Sequence, residues 1–267
     1  MSWKVVFPMY NVSQRIEAGY EAWFEALLAE LRAGGFTQDV EPVRDAPLPD
    51  VFLRPYLLLG QTCGYPYMTR LRGHVRLVAT PAYDFPGCHG SDYASAFVVR
   101  ADAGIDTLED ARSRIAAVND LDSNSGMNAL RHAVAPLARA GRFFGAVRQS
   151  GSHRASLALL RQGEADLAAI DCVTWGYLAR EQPHELDGLT VLAYSAPSPG
   201  LPLVAGRAVP DDLFGQLQAA LLAPGAASRA RMADLAIDRF EALGDAAYAR
   251  ILTLETQACA HAYPQLG

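Results

Sequence analysis

Residues 114–128 read Arg-Ile-Ala-Ala-Val-Asn-Asp-Leu-Asp-Ser-Asn-Ser-Gly-Met-Asn, and residues 149–156 read Gln-Ser-Gly-Ser-His-Arg-Ala-Ser. Across this stretch the pattern predicts strand, polar turn and helix, then the same again. Ile115–Asn119 and Val147–Gln149 are the strands. The first turn holds Ser123, Asn124, Ser125 and Gly126; the second holds Ser150, Gly151, Ser152 and His153. Hydroxyl and amide residues directly before a helix are ordinary N-caps. The same helix ends present N–H groups with no carbonyl behind them and a partial positive charge, which suits an anion. Two such ends following parallel strands would open on one edge of a sheet, where open α/β sheets bind ligands. Both readings stand at each turn. The neighbouring pair, with His153 in the second, makes a small-anion clamp the functional expectation.

Working outward, the flanking sequence keeps alternating. Upstream, Trp3–Met9 reads as a strand. Ser13 then caps a helix whose apolar residues Ile16, Tyr20, Trp23, Phe24, Leu27, Leu28 and Leu31 recur at helical spacing until Gly34-Gly35. Strands are expected at 36–43, 56–59, 75–80 and 93–100, with a short helix at 108–114. Downstream of the two turns come a helix over 154–161, a strand over 167–170, a helix from Cys172, and strands at 190–195 and 203–208. From Pro210 onward the reading is helical. Strand–helix alternation argues for an α/β fold with parallel sheets. The block 91–199 forms one lobe, inserted into a second made of 1–90 and 200–267. The hinge falls near 81–95 and 195–202, and an interlobe cleft is the natural ligand site.

Composition narrows the function. Half the residues are apolar (51%) and 19% are charged, an ordinary soluble globular balance. The net charge of −6 argues against nucleic acid and anionic membranes as partners. An anion would therefore be held by local dipoles and hydrogen bonds. No run approaches ~18 consecutive apolar residues, so no membrane span is expected. The first residues run straight into a strand without a basic leader or apolar segment, so the location expected for the sequence as it stands is cytoplasmic, or periplasmic for a trimmed chain. Cys63, Cys88, Cys172 and Cys259 show no CxxC spacing, so no metal or other cofactor is expected. In a reducing compartment they read as buried thiols. In an oxidising one a Cys63–Cys88 disulfide enters.

Several motifs resemble a known family: Tyr93 to Arg100, Asp122-Ser-Asn-Ser-Gly126, Gly151-Ser-His153, Gly163-Glu-Ala-Asp166 and Pro197-Ser-Pro-Gly-Leu-Pro202. In this order and spacing they resemble the phosphate/phosphite/phosphonate substrate-binding proteins of ABC transporters, a branch of the type II periplasmic-binding-protein superfamily. The resemblance is strongest over 83–202. It implies a two-lobed fold, a small anionic ligand and an ABC permease as partner. It places Ser123, Asn124, Ser125 and Gly126 on the anion with His153 beside them, Tyr93 near the hinge, and Tyr10 reaching in from the other lobe. Asn124 stands where the family has Thr, exchanging a hydroxyl for an amide with two donors and an acceptor, and this leaves phosphonate against carboxylate open.

The remaining candidates keep two readings. Asp171, at a strand's end, either accepts from a ligand amine or caps the next helix. Trp175 and Tyr65 either line a pocket wall or belong to the core. Cys63 is either an inert thiol or a nucleophile with His153 or His89 as its base. That last reading is the rival function: a cofactor-free cytoplasmic lyase or transferase on the same fold, acting on a small organic acid. With no Walker loop, HExxH or GxSxG, a binding protein with no catalytic residue is the reading preferred.

Overall fold

The helix Gln14–Ala33 shows how locally the chain sets its own elements. The Ser13 hydroxyl accepts from the Ile16 N–H at its start. At its end Gly35 takes a φ of 101° and the Phe36 N–H returns to the Leu31 carbonyl, a closure that favours glycine. All seven apolar residues of the expected face are buried.

The computed structural model describes residues 2–44 and 47–267. The chain divides into two compact units. One comprises Met1–Asp84, His89–Ser91 and Pro199–Tyr248; the other comprises Phe85–Cys88, Asp92–Ser198 and Ala249–Gly267. Sequence alternation assigns 200–267 to the first lobe, but residues 249–267 group with the second unit. There Ala258 and Tyr263 join the apolar cluster of Phe97, Val118, Leu130 and Phe143, and the Phe143 and Phe144 N–H groups donate to the Gly267 carbonyl.

The first unit carries a six-stranded sheet in the order Ile237–Glu241, Val75–Tyr83, Leu203–Gly206, Leu57–Gln61, Trp3–Val6, Val40–Pro42. The last three run parallel, while Leu203–Gly206 is antiparallel to both its neighbours. The sheet is thus mixed, not parallel throughout. Strand–helix alternation identifies crossovers but does not give the direction of a strand arriving on a long link. Ile237–Glu241 is likewise a strand within a region whose spacing predicts only helices. Ala236 at φ 52° ends the preceding helical stretch, and Ile237 and Phe240 turn inward.

The second unit has a five-stranded sheet ordered Leu189–Tyr194, Ser95–Arg100, Leu167–Asp171, Ile115–Val118, Ala146–Gln149. Its last three strands are parallel, and Ser95–Arg100 is antiparallel to both its neighbours. The carboxyl ends of the three parallel strands therefore share one edge. Because Ser95 pairs with Asp171 and Tyr194 with Ala96, the start of one antiparallel strand and the end of the other lie at that edge too.

Helix contacts in the first unit are pinned by a carboxylate. Glu30, near the end of Gln14–Ala33, accepts from the Gly225 N–H at 3.1 Å through both oxygens and from the Ser228 hydroxyl. It thus supplies a negative charge at the start of the helix Ala226–Asp234. Glu30→Ala is expected to lower stability by ~1–2 kcal/mol, read as a lower denaturation midpoint at unchanged m-value.

Candidate functional site

Most of the residues singled out from sequence gather at the shared edge of the second unit's sheet. After Ile115–Val118 the chain turns through Ser123, whose hydroxyl accepts from the Gly126 N–H at 3.0 Å. Residues Asn124–Asn128 wind as a π turn, with the Asn128 N–H reaching the Ser123 carbonyl. The helix Ala129–Val134 follows, and Pro136 holds the next residues in a 3₁₀ turn. Gly126 leaves room for the Asn119 side chain, whose Oδ1 lies 1.8 Å from where a Cβ would stand. The second turn is built alike. Ser152 caps the helix His153–Arg161 by accepting from the Ala155 N–H, and the Ser150 hydroxyl meets that of Ser156 at 2.7 Å.

The two turns touch through Ser125 Oγ and His153 Nε2, 3.0 Å apart. His153 Nδ1 is sealed from solvent without a hydrogen-bond partner, and burial pushes the imidazole pKa down to about 4. The ring is therefore neutral at pH 7.

Asn124 lies at the centre of a second, longer network. Its Nδ2 donates to the Tyr93 hydroxyl at 3.1 Å and to Ser198 Oγ at 2.8 Å. Its Oδ1 accepts from Asn128 Nδ2, which also donates to the Ile251 carbonyl. Asn128 Oδ1 in turn accepts from the Arg131 guanidinium at 2.7 Å. Arginine has no acceptor, so it sets which way Asn128 faces, and Asn128 sets Asn124. The Tyr93 and Ser198 oxygens consequently act as acceptors toward Asn124. Arg131 is itself buried, donating to the Pro264 carbonyl and lying 3.6 Å from Glu255.

Asp171 sits at the same edge as the N-cap of the helix Cys172–Glu181, where Oδ1 accepts from the Val173 and Thr174 N–H groups. This is the capping reading realised. Asp166 accepts from the Ile115 N–H within the same unit. Tyr10 belongs to the first unit, where it is buried with its ring centroid 5.4 Å from that of Tyr83. Tyr65 and Cys63 lie at the short helix Gly64–Pro66 of the first unit, and Trp175 on the helix Cys172–Glu181. Cys63, Cys88 and Cys172 are free thiols, and the Cys88 sulfur lies 3.4 Å from that of Cys172. Among the described residues no group of three or more His, Cys, Asp or Glu is arranged to hold a metal ion.

Sequence reasoning missed Asn128, Arg131 and Ser198. The first two stand four and seven residues after Asn124, polar positions on an otherwise apolar helix face, and that spacing was the available signal. Ser198 lies inside the Pro197–Pro202 motif, but nothing local links it to Asn124.

The fold and this edge define the class: an α/β protein of the type II periplasmic-binding-protein kind. A binding-protein component of an ABC phosphonate transporter (PA3383) from Pseudomonas aeruginosa superposes with a TM-score of 0.79 at 20% identity, covering 98% of this chain and 88% of that one. PhnD1 from Prochlorococcus marinus, solved with methylphosphonate, gives 0.79 at 15% identity over 96% and 97%. The periplasmic aliphatic sulphonate binding protein SsuA from Escherichia coli gives 0.58 at 13% over 97% and 86%. At such identities the likeness carries the fold. No curated protein sequence matches the chain. The family described as ABC transporter, phosphonate, periplasmic substrate-binding protein matches residues 5–248, and the chain belongs to it.

His153 gives the site a pH signature. With its pKa near 4 in the folded chain against an ordinary 6.5, the unfolded chain takes up the proton first as pH falls. The stabilisation is complete above 6.5 and is lost between 6.5 and about 4, by no more than ~3 kcal/mol. Melts between pH ~7.5 and ~4.5 should show this decline, and His153→Gln should flatten it.

Proposed function

We propose that the chain is the solute receptor of an ABC transporter and binds a small oxyanion, a phosphonate or a related acid, at the polar edge of its second unit. The observation that supports this most directly is the orientation of the hydrogen bonds around Asn124. Because Asn124 donates to Tyr93 and Ser198, both oxygens are set as acceptors toward it, with their own hydrogens turned away from it, beside the Ser123–Gly126 turn. Ser125 joins them when His153 carries its proton on Nε2, since the hydroxyl then accepts from the ring and donates outward. An array of preset donors suits the oxygens of a tetrahedral anion.

The departure from Thr at position 124 fits this reading. Asn124 acts through the two hydroxyls as a positioning residue, with its own amide hydrogens directed to them. The donors are uncharged, as the chain's net charge of −6 leads one to expect. The partners are then the ligand and an ABC permease, and the working compartment is the periplasm. Membership of a transporter family does not favour the lyase or transferase alternative.

Isothermal titration against methylphosphonate, phosphate, methanesulfonate and small carboxylates tests the proposal. At least one tetrahedral anion should bind and be recovered unchanged. Ser125→Ala and Asn124→Leu should each weaken it about tenfold or more, the loss expected for a hydrogen bond to a charged group. Unchanged affinity in both variants would remove the site assignment, and a chemically altered ligand would point to the enzyme.

A further inference from the structure

The second unit holds two free cysteines in contact. Cys88 Sγ and Cys172 Sγ are 3.4 Å apart, although 84 positions separate them in sequence. The approach is built by the surrounding residues. Gly87 has a φ of 93°, and a Cβ on it would lie 3.0 Å from the Cys172 Cβ and 2.9 Å from the Tyr194 ring. Only a glycine lets this backbone come so close. Two residues earlier, the Phe85 ring fills the notch over Gly176, where a Cβ would fall 2.3 Å from the ring, and it packs edge-on against Tyr177 at 5.1 Å. The Cys88 N–H closes the turn onto the Phe85 carbonyl at 3.0 Å. Segment 85–88 is thus held against the helix Cys172–Glu181 from two sides, with the sulfurs facing.

We infer that Cys88 and Cys172 form a disulfide when the protein meets a disulfide-bearing oxidant, anchoring segment 85–88 to the helix that starts at Cys172. Cys88 is half-buried and Cys172 buried, so Cys88 reacts first. The neighbouring Cys88 thiol, burial and the Asp171 carboxylate all push the Cys172 thiol up, which gives the same order. The Cys88 thiolate attacks one sulfur of the oxidant, breaking its S–S bond and releasing one thiolate. Cys172 then loses its proton and attacks Cys88 Sγ, expelling the second thiolate. Two electrons pass from the cysteine pair to the oxidant, and two protons leave with them. Such bonds persist in the periplasm, the compartment of this family.

Glutathione disulfide applied to the purified full chain supplies the oxidant directly, so the test stands apart from any ligand. The expected result is an intact mass lower by about 2 Da, from the two hydrogens removed, with peptide mapping joining the Cys88 and Cys172 peptides. Cys88→Ser should abolish the mass loss. Reduction should then lower Tm by on the order of 5–10 °C. An unchanged mass, arrest at the glutathione adduct, or a bond to Cys63 or Cys259 overturns the inference. A Cys88–Cys172 bond whose reduction leaves Tm unmoved overturns the anchoring.

Discussion

The donor-only character of one buried guanidinium governs the polar edge of the second unit. Arg131 accepts hydrogen bonds from nothing, so the oxygen of Asn128 must face it. From that single constraint the amide of Asn128, the amide of Asn124 and the hydroxyls of Tyr93 and Ser198 take their directions in turn. Each member is buried, so a reversed amide would leave mismatched donors and acceptors with no water to relieve them. The charge is balanced away from the edge by Glu255 and the Pro264 carbonyl. It therefore organises hydrogen bonds at the edge without presenting itself there.

The mixed sheet brings that network together. Three parallel strands deliver two polar turns and Asp171 to one edge, as parallel βα units do. The antiparallel strand Ser95–Arg100 then adds Tyr93, just ahead of its start, and Leu189–Tyr194, which runs with the three, adds Ser198 just beyond its end. A purely parallel sheet would carry the crossing segments to other places. The strand Ser95–Arg100, second in the order and running against its neighbours, begins at that edge, and there a tyrosine and a serine 105 residues apart in sequence meet the same asparagine.

How much of this the sequence carries depends on the range of the interaction. The helix Gln14–Ala33 is legible because Ser13, seven periodic apolar residues and Gly34-Gly35 each act within a turn or two. The turns at Ser123–Gly126 and Ser152–His153 are legible for the same reason. The strand Ile237–Glu241 is harder to see, since its bulge interrupts the alternation that marks a strand. The links from Asn124 to Tyr93 and Ser198, from Glu30 to Gly225, and from Cys88 to Cys172 span 31 to 195 positions. Nothing near either partner announces them. The family resemblance located the edge, while the direction of each hydrogen bond at it came only from the folded chain.

The π turn at Asn124–Asn128 separates two demands that a helix start usually binds together. It takes one residue more than an α turn, and the extra residue is absorbed inside the turn. Ser123 and Asn124 on one side and Leu130 and Val134 on the other therefore each keep their own direction. An unbroken α-helix through the same residues would turn one set about 100° away from the other. The turn thus acts as a phase adjuster between the polar edge and the apolar interior.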